Sequence, residues 1–360
     1  MNRVFALAEG QKGICKPHPV TAALVVRDGV VVGEGVHQRP GSDHAEVAAL
    51  KQAGTQAQGA TLYVNLEPCS HHGKTPPCTD RLIQSGLARV VYPILDPNPT
   101  VRKTPAKPLL EAAGIAVCEG IGFEKALVQN QIFFKNTALQ KPFILLKAGI
   151  SLDGKIALAN HQSKYITSSK SQKKTHQLRA EYDAILIGAQ TVLDDNPLLT
   201  IRHGTPTQHP HVIILDRDNR IQSTDFALFQ SGNNRKVFVV SSTPRELPGV
   251  TTLVIGLDSA HHFIWDQLLD RLFEAGIGSV IIEGGQGIFT SAIESGIVDQ
   301  CTFVIAPKMV VGKNAVSVFA GQDKTKLGDI LTLEAVHHKV CGEDVWVSGY
   351  VRHPRGWITV

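Results

Sequence analysis

Long apolar runs are missing: no stretch of the 360 residues reaches the roughly 18 apolar side chains that a membrane span needs. Met1-Asn2-Arg3 leads into a short segment that soon turns polar, without a secretory cleavage pattern, so the expected location is cytoplasmic. Runs of about five or more Lys or Arg are absent as well, and Lys173-Lys174 is too short to count. With a net charge of only +4 and aromatics at 6%, the chain lacks the basic, aromatic footprint of a nucleic-acid binder, and no membrane partner is expected. Cysteine is scarce. Six in a chain of 360 do not form a disulfide framework, and Cys15, Cys118, Cys301 and Cys341 read as unremarkable thiols. No internal repeat and no low-complexity segment occurs.

What is present describes an ordinary globular chain, with 43% apolar and 19% charged residues and a length suited to about two to three domains. A helical stretch over 122–138 gives way near 140–142 to a strand that opens on Pro142, so the boundary is set there, with domains 1–140 and 141–360. The first reads as a strand pair (21–26 and 30–34, turned at Asp28-Gly29), then strands over 61–65, 89–94 and 115–118 alternating with helices, an α/β sandwich. The second repeats the alternation, with strands over 142–147, 184–187, 211–215, 236–240, 252–255, 279–282 and 300–306 and helices over 170–179, 263–275 and 289–295. A mostly parallel sheet is expected, finished by two strands around 331–337 and 345–351. Leu268, Leu269, Leu272 and Phe273 recur at helical spacing with Ile264 and Trp265, which makes that stripe core.

The chemistry concentrates in two places. His44-Ala45-Glu46, Pro68-Cys69 and Pro77-Cys78 offer one imidazole and two thiolates, three protein ligands to Zn²⁺ with a fourth position left for water. Glu46, two residues past His44, faces that water as a proton shuttle, the layout of the zinc nucleobase deaminases. Any one of these residues alone is more often core than ligand. Together they place two helix starts, at His44 and Cys78, beside the metal, where the dipoles favour thiolate. In the second domain, Ser279 to Gly287 is a strand ending in glycines ahead of a helix, either a phosphate cradle or an ordinary tight turn, and it is not a Gly-x-Gly-x-x-Gly fingerprint.

Eight residues separate Cys69 from Cys78, where most such deaminases have two. The run Leu66-Glu67-Pro68-Cys69-Ser70-His71-His72-Gly73-Lys74-Thr75-Pro76-Pro77-Cys78, with Asp96-Pro97-Asn98-Pro99, resembles the deaminase half of the bifunctional riboflavin-biosynthesis deaminase/reductase family. Ser151-Leu152-Asp153-Gly154-Lys155, Tyr165-Ile166-Thr167, Leu178-Arg179-Ala180-Glu181 and Thr191-Val192-Leu193-Asp194-Asp195-Asn196-Pro197 resemble its reductase half. The resemblance covers nearly the whole chain, in order. It implies a cytidine-deaminase-like α/β sandwich followed by a dihydrofolate-reductase-like α/β domain, with zinc and NADPH as cofactors. The implied partner is a phosphorylated aminopyrimidine. Members are often oligomeric, so a homo-oligomer fits the resemblance.

By the same resemblance, zinc-activated water deaminates 2,5-diamino-6-ribosylamino-4(3H)-pyrimidinone 5′-phosphate, Glu46 protonates the departing ammonia, and NADPH then reduces the ribosyl to a ribityl chain. Substrate contacts fall on Lys147, Ser163, Arg179, Leu199, Arg202 and Glu283, with the Arg179 and Arg202 forks suited to phosphate. Cofactor contacts fall on Ile150, Tyr165, Thr191 and Asp195 and on the loop Gly285, Gln286, Gly287, Ile288, Phe289, Thr290, Ser291. The chain departs from the family pattern at His18 (usually Asn), Ala48, Arg102 to Pro105, His161, Tyr165 (usually Trp) and Arg217 (usually Ser). Two alternatives stand beside the bifunctional enzyme: a reductase with a weak or retargeted deaminase, and a zinc-stapled binding module that would leave Glu46 without a task.

Overall fold

The computed structural model describes residues 1–72, 76–163, 166–202, 208–230 and 235–357, so Tyr165 and part of the insert between the two cysteines lie outside the described residues. The chain divides into a first unit of residues 1–139 and a second of 140–353, and the final turn Pro354–Trp357 returns to the first unit. That turn corrects the boundary expected at the C-terminus. Its indole is buried within reach of the Lys135 ammonium (5.9 Å to the ring centre), and Arg355 pairs with Glu124.

In the first unit β1 (Ala22–Arg27) and β2 (Val30–Val36) form a hairpin because Asp28 and Gly29, at φ 50° and 77°, supply the two left-handed residues of a type I′ turn. β3 (Thr61–Val64), β4 (Arg89–Tyr92) and β5 (Ala116–Glu119) complete the sheet in the order β2-β1-β3-β4-β5, antiparallel across β1 and parallel from β3 onward. The helix Ala45–Ala53 lies against β2 through Ala45, Ala49 and Ala53, one small residue per turn on one face. The strand answers with glycine: a Cβ on Gly35 would stand 2.2 Å from the Ala45 carbonyl oxygen, and one on Gly33 2.2 Å from that of Ala49. Gly35→Ala therefore has to lift the helix that begins with His44 and Glu46. The expected cost is about 1–3 kcal/mol, seen as an earlier thermal transition together with sub-stoichiometric zinc; an unchanged transition with full zinc would refute this packing.

Two elements differ from the sequence expectation. The stretch over 122–138 is two helices, Phe123–Gln129 and Gln131–Leu139, interrupted where Asn130 turns its amide onto Val20, accepting from its N–H (2.8 Å) and donating to its carbonyl (3.1 Å). The N-terminal helix Asn2–Glu9 was not expected. No side chain caps it, and burial of Val4, Phe5 and Ala8 holds it in place.

The second unit holds β6 (Phe143–Ser151), β7 (Lys155–Ala157), β8 (Ala184–Gly188), β9 (His211–Leu215), β10 (Val237–Ser241), β11 (Thr251–Val254), β12 (Ser279–Ile282), β13 (Gln300–Ala306), β14 (Val316–Ser317), β15 (Glu334–Cys341) and β16 (Asp344–Tyr350). Nine strands form one sheet in the order β11-β10-β9-β8-β12-β6-β13-β16-β15, parallel from β11 to β13 and antiparallel at the last two joints, while β7 and β14 pair separately. β8, β10 and β12 read as unbroken apolar runs because both faces of a parallel sheet are covered. The helix Trp265–Glu274 buries Trp265, Leu268, Leu269 and Leu272, the stripe expected from its spacing. In such a sheet ligands bind beyond the carboxyl ends of the strands. Here β12 and β6 run side by side with Ile282 opposite Leu146, so the next residues, Glu283 and Lys147, emerge level with each other.

Candidate functional site

In the first unit His44 is the residue that opens the helix Ala45–Ala53, and Cys78 is the first residue of the helix Cys78–Gln84, so both helix N-termini meet at one point. Cys69 arrives from the loop after β3. The ligand atoms of His44, Cys69 and Cys78 all lie within 4.8 Å of one another. His44 Nδ1 stands 3.2 Å from Cys78 Sγ and 3.5 Å from Cys69 Sγ. Ligands at Zn–S and Zn–N bond lengths on a tetrahedron are about 3.6–3.8 Å apart, so the donor set and its spacing fit zinc. Hydrogen bonding from the Cys78 thiol, then from His44, holds the Cys69 thiol down at about 4 against the opposing effect of burial, and the Cys78 backbone N–H also donates to that sulfur (3.3 Å). The thiolate is thus favoured before any cation is counted. Glu46 is 5% exposed, and burial, reinforced by the nearby Cys69 sulfur, raises its carboxyl above the usual range. A buried carboxyl of that kind is suited to both taking and giving a proton.

A cavity of about 350 Å³ opens onto this cluster, and it recruits residues that no motif marked. His37 is buried with its ring edge-on to His44, 5.4 Å between centres. Its Nδ1 donates to the Asp43 carbonyl (3.2 Å), which fixes the tautomer and leaves Nε2 to accept from His18 Nδ1 (3.1 Å). His18, one of the departures from the family pattern, therefore enters the site as a partner of His37. Asp96-Pro97-Asn98-Pro99 is a turn, as its residues require: Asn98 N–H donates to the Asp96 carboxylate (2.8 Å) and the Asn98 side chain accepts from Thr100 N–H (2.9 Å). The turn also delivers Asp96 and Asn98 to the cavity wall. Burial, with Glu67 adding to it, pushes the Asp96 carboxyl up to about 7.

The second unit contains a cavity of about 750 Å³. It gathers Lys147, Ser163, Arg179, Thr191, Asp195 and Glu283, and from the glycine loop Gly285, Gln286, Gly287, Ile288, Phe289 and Ser291. Gly285 adopts φ 81° and the helix Gln286–Glu294 starts immediately after it; an added Cβ on Gly285 or Gly287 would meet nothing within 4 Å, and Gly285, Gln286 and Gly287 all line the cavity, so this helix start is open to it. That cradle fits the phosphates of a dinucleotide. Ile150, Leu199, Arg202 and Thr290 do not line it. Ile150 packs on the core, and Thr290 returns its hydroxyl to the Gln286 carbonyl (2.8 Å). Leu199 is buried at φ 51°, and the Arg202 N–H reaches His176 Nδ1 (3.5 Å).

Arg179, whose fork was expected to face phosphate, directs it at Glu283 instead, Nε to Oε1 at 3.0 Å and Nη2 to Oε2 at 2.5 Å. Burial opposes the ionised form of Glu283, but Arg179 and then Lys147 outweigh it and hold the carboxyl at about 2. Burial in turn lowers Lys147.

An imidazole–dithiolate zinc site on a mixed five-stranded sheet, joined in one chain to a dinucleotide crevice on a largely parallel sheet, defines the class as a deaminase fused to a reductase. Residues 1–94 match the cytidine and deoxycytidylate deaminase zinc-binding region, and residues 142–347 match the RibD C-terminal domain. The chain belongs to the RibD family of riboflavin-biosynthesis proteins. It is 39% identical over 316 residues to the riboflavin biosynthesis protein RibD of Aquifex aeolicus, covering 86% of each chain. It is 36% identical over 357 residues to that of Escherichia coli, covering 96% of each. The crystal structure of a Thermotoga maritima diaminohydroxyphosphoribosylaminopyrimidine deaminase/5-amino-6-(5-phosphoribosylamino)uracil reductase matches with a TM-score of 0.86 and 32% identity over 97% of both chains. The chain is therefore an enzyme with a zinc-binding deaminase domain and an NADPH-dependent reductase domain. Among the described residues no helix is long and apolar enough to cross a membrane.

Proposed function

We propose that the first unit removes the 2-amino group of 2,5-diamino-6-ribosylamino-4(3H)-pyrimidinone 5′-phosphate by hydrolysis, and that the second reduces the ribosyl of the deaminated product to a ribityl chain. The observation that carries this reading is the buried carboxyl of Glu46 beside three convergent zinc ligands, in a chain that also holds a glycine-cradled crevice. Zinc held by His44, Cys69 and Cys78 supplies the Lewis acidity that makes a water molecule nucleophilic near neutral pH. Glu46 takes a proton from that water and returns it to the departing amine. The neutral His37 ring, fixed by Asp43 and His18, closes one side of the cavity, and Asp96 and Asn98 offer hydrogen bonds to the pyrimidine edge.

In the second unit NADPH supplies the hydride. Gly285, Gln286 and Gly287 would hold its phosphates, with Thr191 and Asp195 beside them. Glu283, kept ionised by Arg179, orients Lys147, whose ammonium holds a proton next to the sugar oxygen released as the ring opens. The test is ammonia release from the diaminopyrimidine phosphate by protein carrying about one zinc per chain, first without NADPH and then with it. Release should proceed in both, and NADPH should be oxidised only once deaminated product has formed. NADPH oxidation with no ammonia released at full zinc content would leave only the reductase half of this proposal standing.

A further inference from the structure

The wall of the zinc cavity that carries His18 is built without a strand. Pro17, His18, Pro19 and Thr21 line it, the two prolines bring no N–H, and β1 begins only at Ala22. Side chains take the place of the ladder. Asn130 accepts from the Val20 N–H (2.8 Å) and donates to the Val20 carbonyl (3.1 Å). Asn65 donates to the same carbonyl (2.8 Å) and accepts from the Ala22 N–H (2.9 Å). Gln129 accepts from Asn65 Nδ2 (3.0 Å) and donates to the Phe5 carbonyl (2.9 Å) and the Glu9 carboxylate (2.9 Å), which joins the amides to the N-terminal helix. All three amides are buried, and Val20 with them. Between Val20 and Ala22, the Thr21 carbonyl accepts from the His37 N–H (3.0 Å). His18 and His37 are thus both tied to one three-residue segment whose backbone the amides hold.

We propose that Asn130 is a positioning residue of the deaminase: by gripping Val20 it sets where the His18–His37 wall stands relative to the zinc ligands, and so governs how tightly the aminopyrimidine is held. The inference rests on reading this cavity as the deamination site. Asn and Gln are the neutral side chains that offer an amide donor and an acceptor together, which is what a peptide outside any ladder needs. The chain gives up helix continuity to supply one. Phe123–Gln129 and Gln131–Leu139 are separated only by Asn130, at φ −112° and ψ 22°. A local rule broken at one buried residue points to a demand made by the site. Glu46 stands on the helix Ala45–Ala53, and His44 opens it, whereas both side-chain bonds of Asn130 go to Val20. The wall can therefore move while the reacting groups stay.

The test uses two variants of the full, zinc-loaded chain. Asn130→Leu nearly keeps the volume and removes both bonds, which leaves the Val20 N–H to find another partner. Asn130→Ala removes them too but leaves room for a water at Val20. Proton–nitrogen correlation spectra of the imidazole rings read the wall without turnover. Asn130→Leu should lose the hydrogen-bonded signature of His37 Nε2 while the His44 nitrogens stay, and Asn130→Ala should change it less. In deamination KM should rise about tenfold in Asn130→Leu and less in Asn130→Ala, with kcat within about twofold, the split expected when ground-state binding is lost. Zinc content and reduction of added deaminated product should be unchanged, which reports that both units are folded. Unaltered His18 and His37 signals in Asn130→Leu would overturn the assignment whether or not the protein turns over. So would an unchanged KM once the rings have moved, or loss of zinc in both variants, which would make Asn130 a structural residue. Absence of ammonia release from the unaltered protein would sink the proposed deamination instead, and the spectra would still decide what holds the wall.

Discussion

Replacing Glu46 by Gln should lower ammonia release by about 10²- to 10⁴-fold, the usual contribution of a positioned general acid–base group, with zinc content unchanged. The substitution keeps the shape of a side chain that is 5% exposed and removes only its capacity to exchange a proton. Zinc should be retained because the ligand set is His44, Cys69 and Cys78, and Glu46 lies beside it. The raised carboxyl supports the same expectation: burial first, and the Cys69 sulfur second, bring its protonated form closer to neutral pH, where a proton can move in both directions. Two readouts separate this from a structural role. Metal analysis should still give about one zinc per chain, and reduction of added deaminated product should continue. Zinc lost in step with activity would mean that the Glu46 carboxyl holds the Cys78 thiol in place, and the proton-shuttle role would fall.

The second large effect is expected at the Arg179–Glu283 pair. With side chains 14% and 7% exposed, neither charge has water to fall back on. Arg179→Ala should cost about 3–5 kcal/mol, because removing it takes away the larger of the two cations that offset the buried Glu283 charge and leaves only Lys147. Adding Glu283→Gln should recover much of that loss, which a simple cavity would not allow. The pH dependence has a definite sign. Glu283 sits at about 2 in the fold, against about 4.3 in an unfolded chain. A depressed carboxyl contributes stability that is complete above the unfolded value and is lost as pH falls through the folded one, so the acid limb should lie between about 4.3 and about 2. Denaturant titrations at neutral pH and across that window check both points, and a cost below about 1 kcal/mol for Arg179→Ala, the level of an exposed pair, would show the pair to be solvated.

The zinc site could be read from the chain because its chemistry demands particular residue types in a fixed order. His44, Glu46 and two Pro-Cys pairs stand in the order that chemistry asks for, and the helix starts that carry them follow from local pattern. The apolar stripe from Trp265 to Leu272 was equally plain, since helical period is a property of neighbouring residues. His37 was not visible. It lies at the far end of a hairpin, and only the packing of Gly33 and Gly35 under the helix Ala45–Ala53 brings its ring against His44. The break at Asn130 was hidden for a similar reason, because its partner Val20 is 110 residues away.

By itself the sequence determined the zinc-ligand types and the alternation of strands and helices, since each depends on side-chain chemistry or on spacing within a few turns. The tertiary structure decided which charges meet. Arg179 and Glu283 are 104 residues apart, and the pair forms because strand order sets β12 between β8 and β6. Register then placed Lys147 level with Glu283. Strand order and register are fixed by burial summed over the whole sheet, and no window of sequence contains that sum.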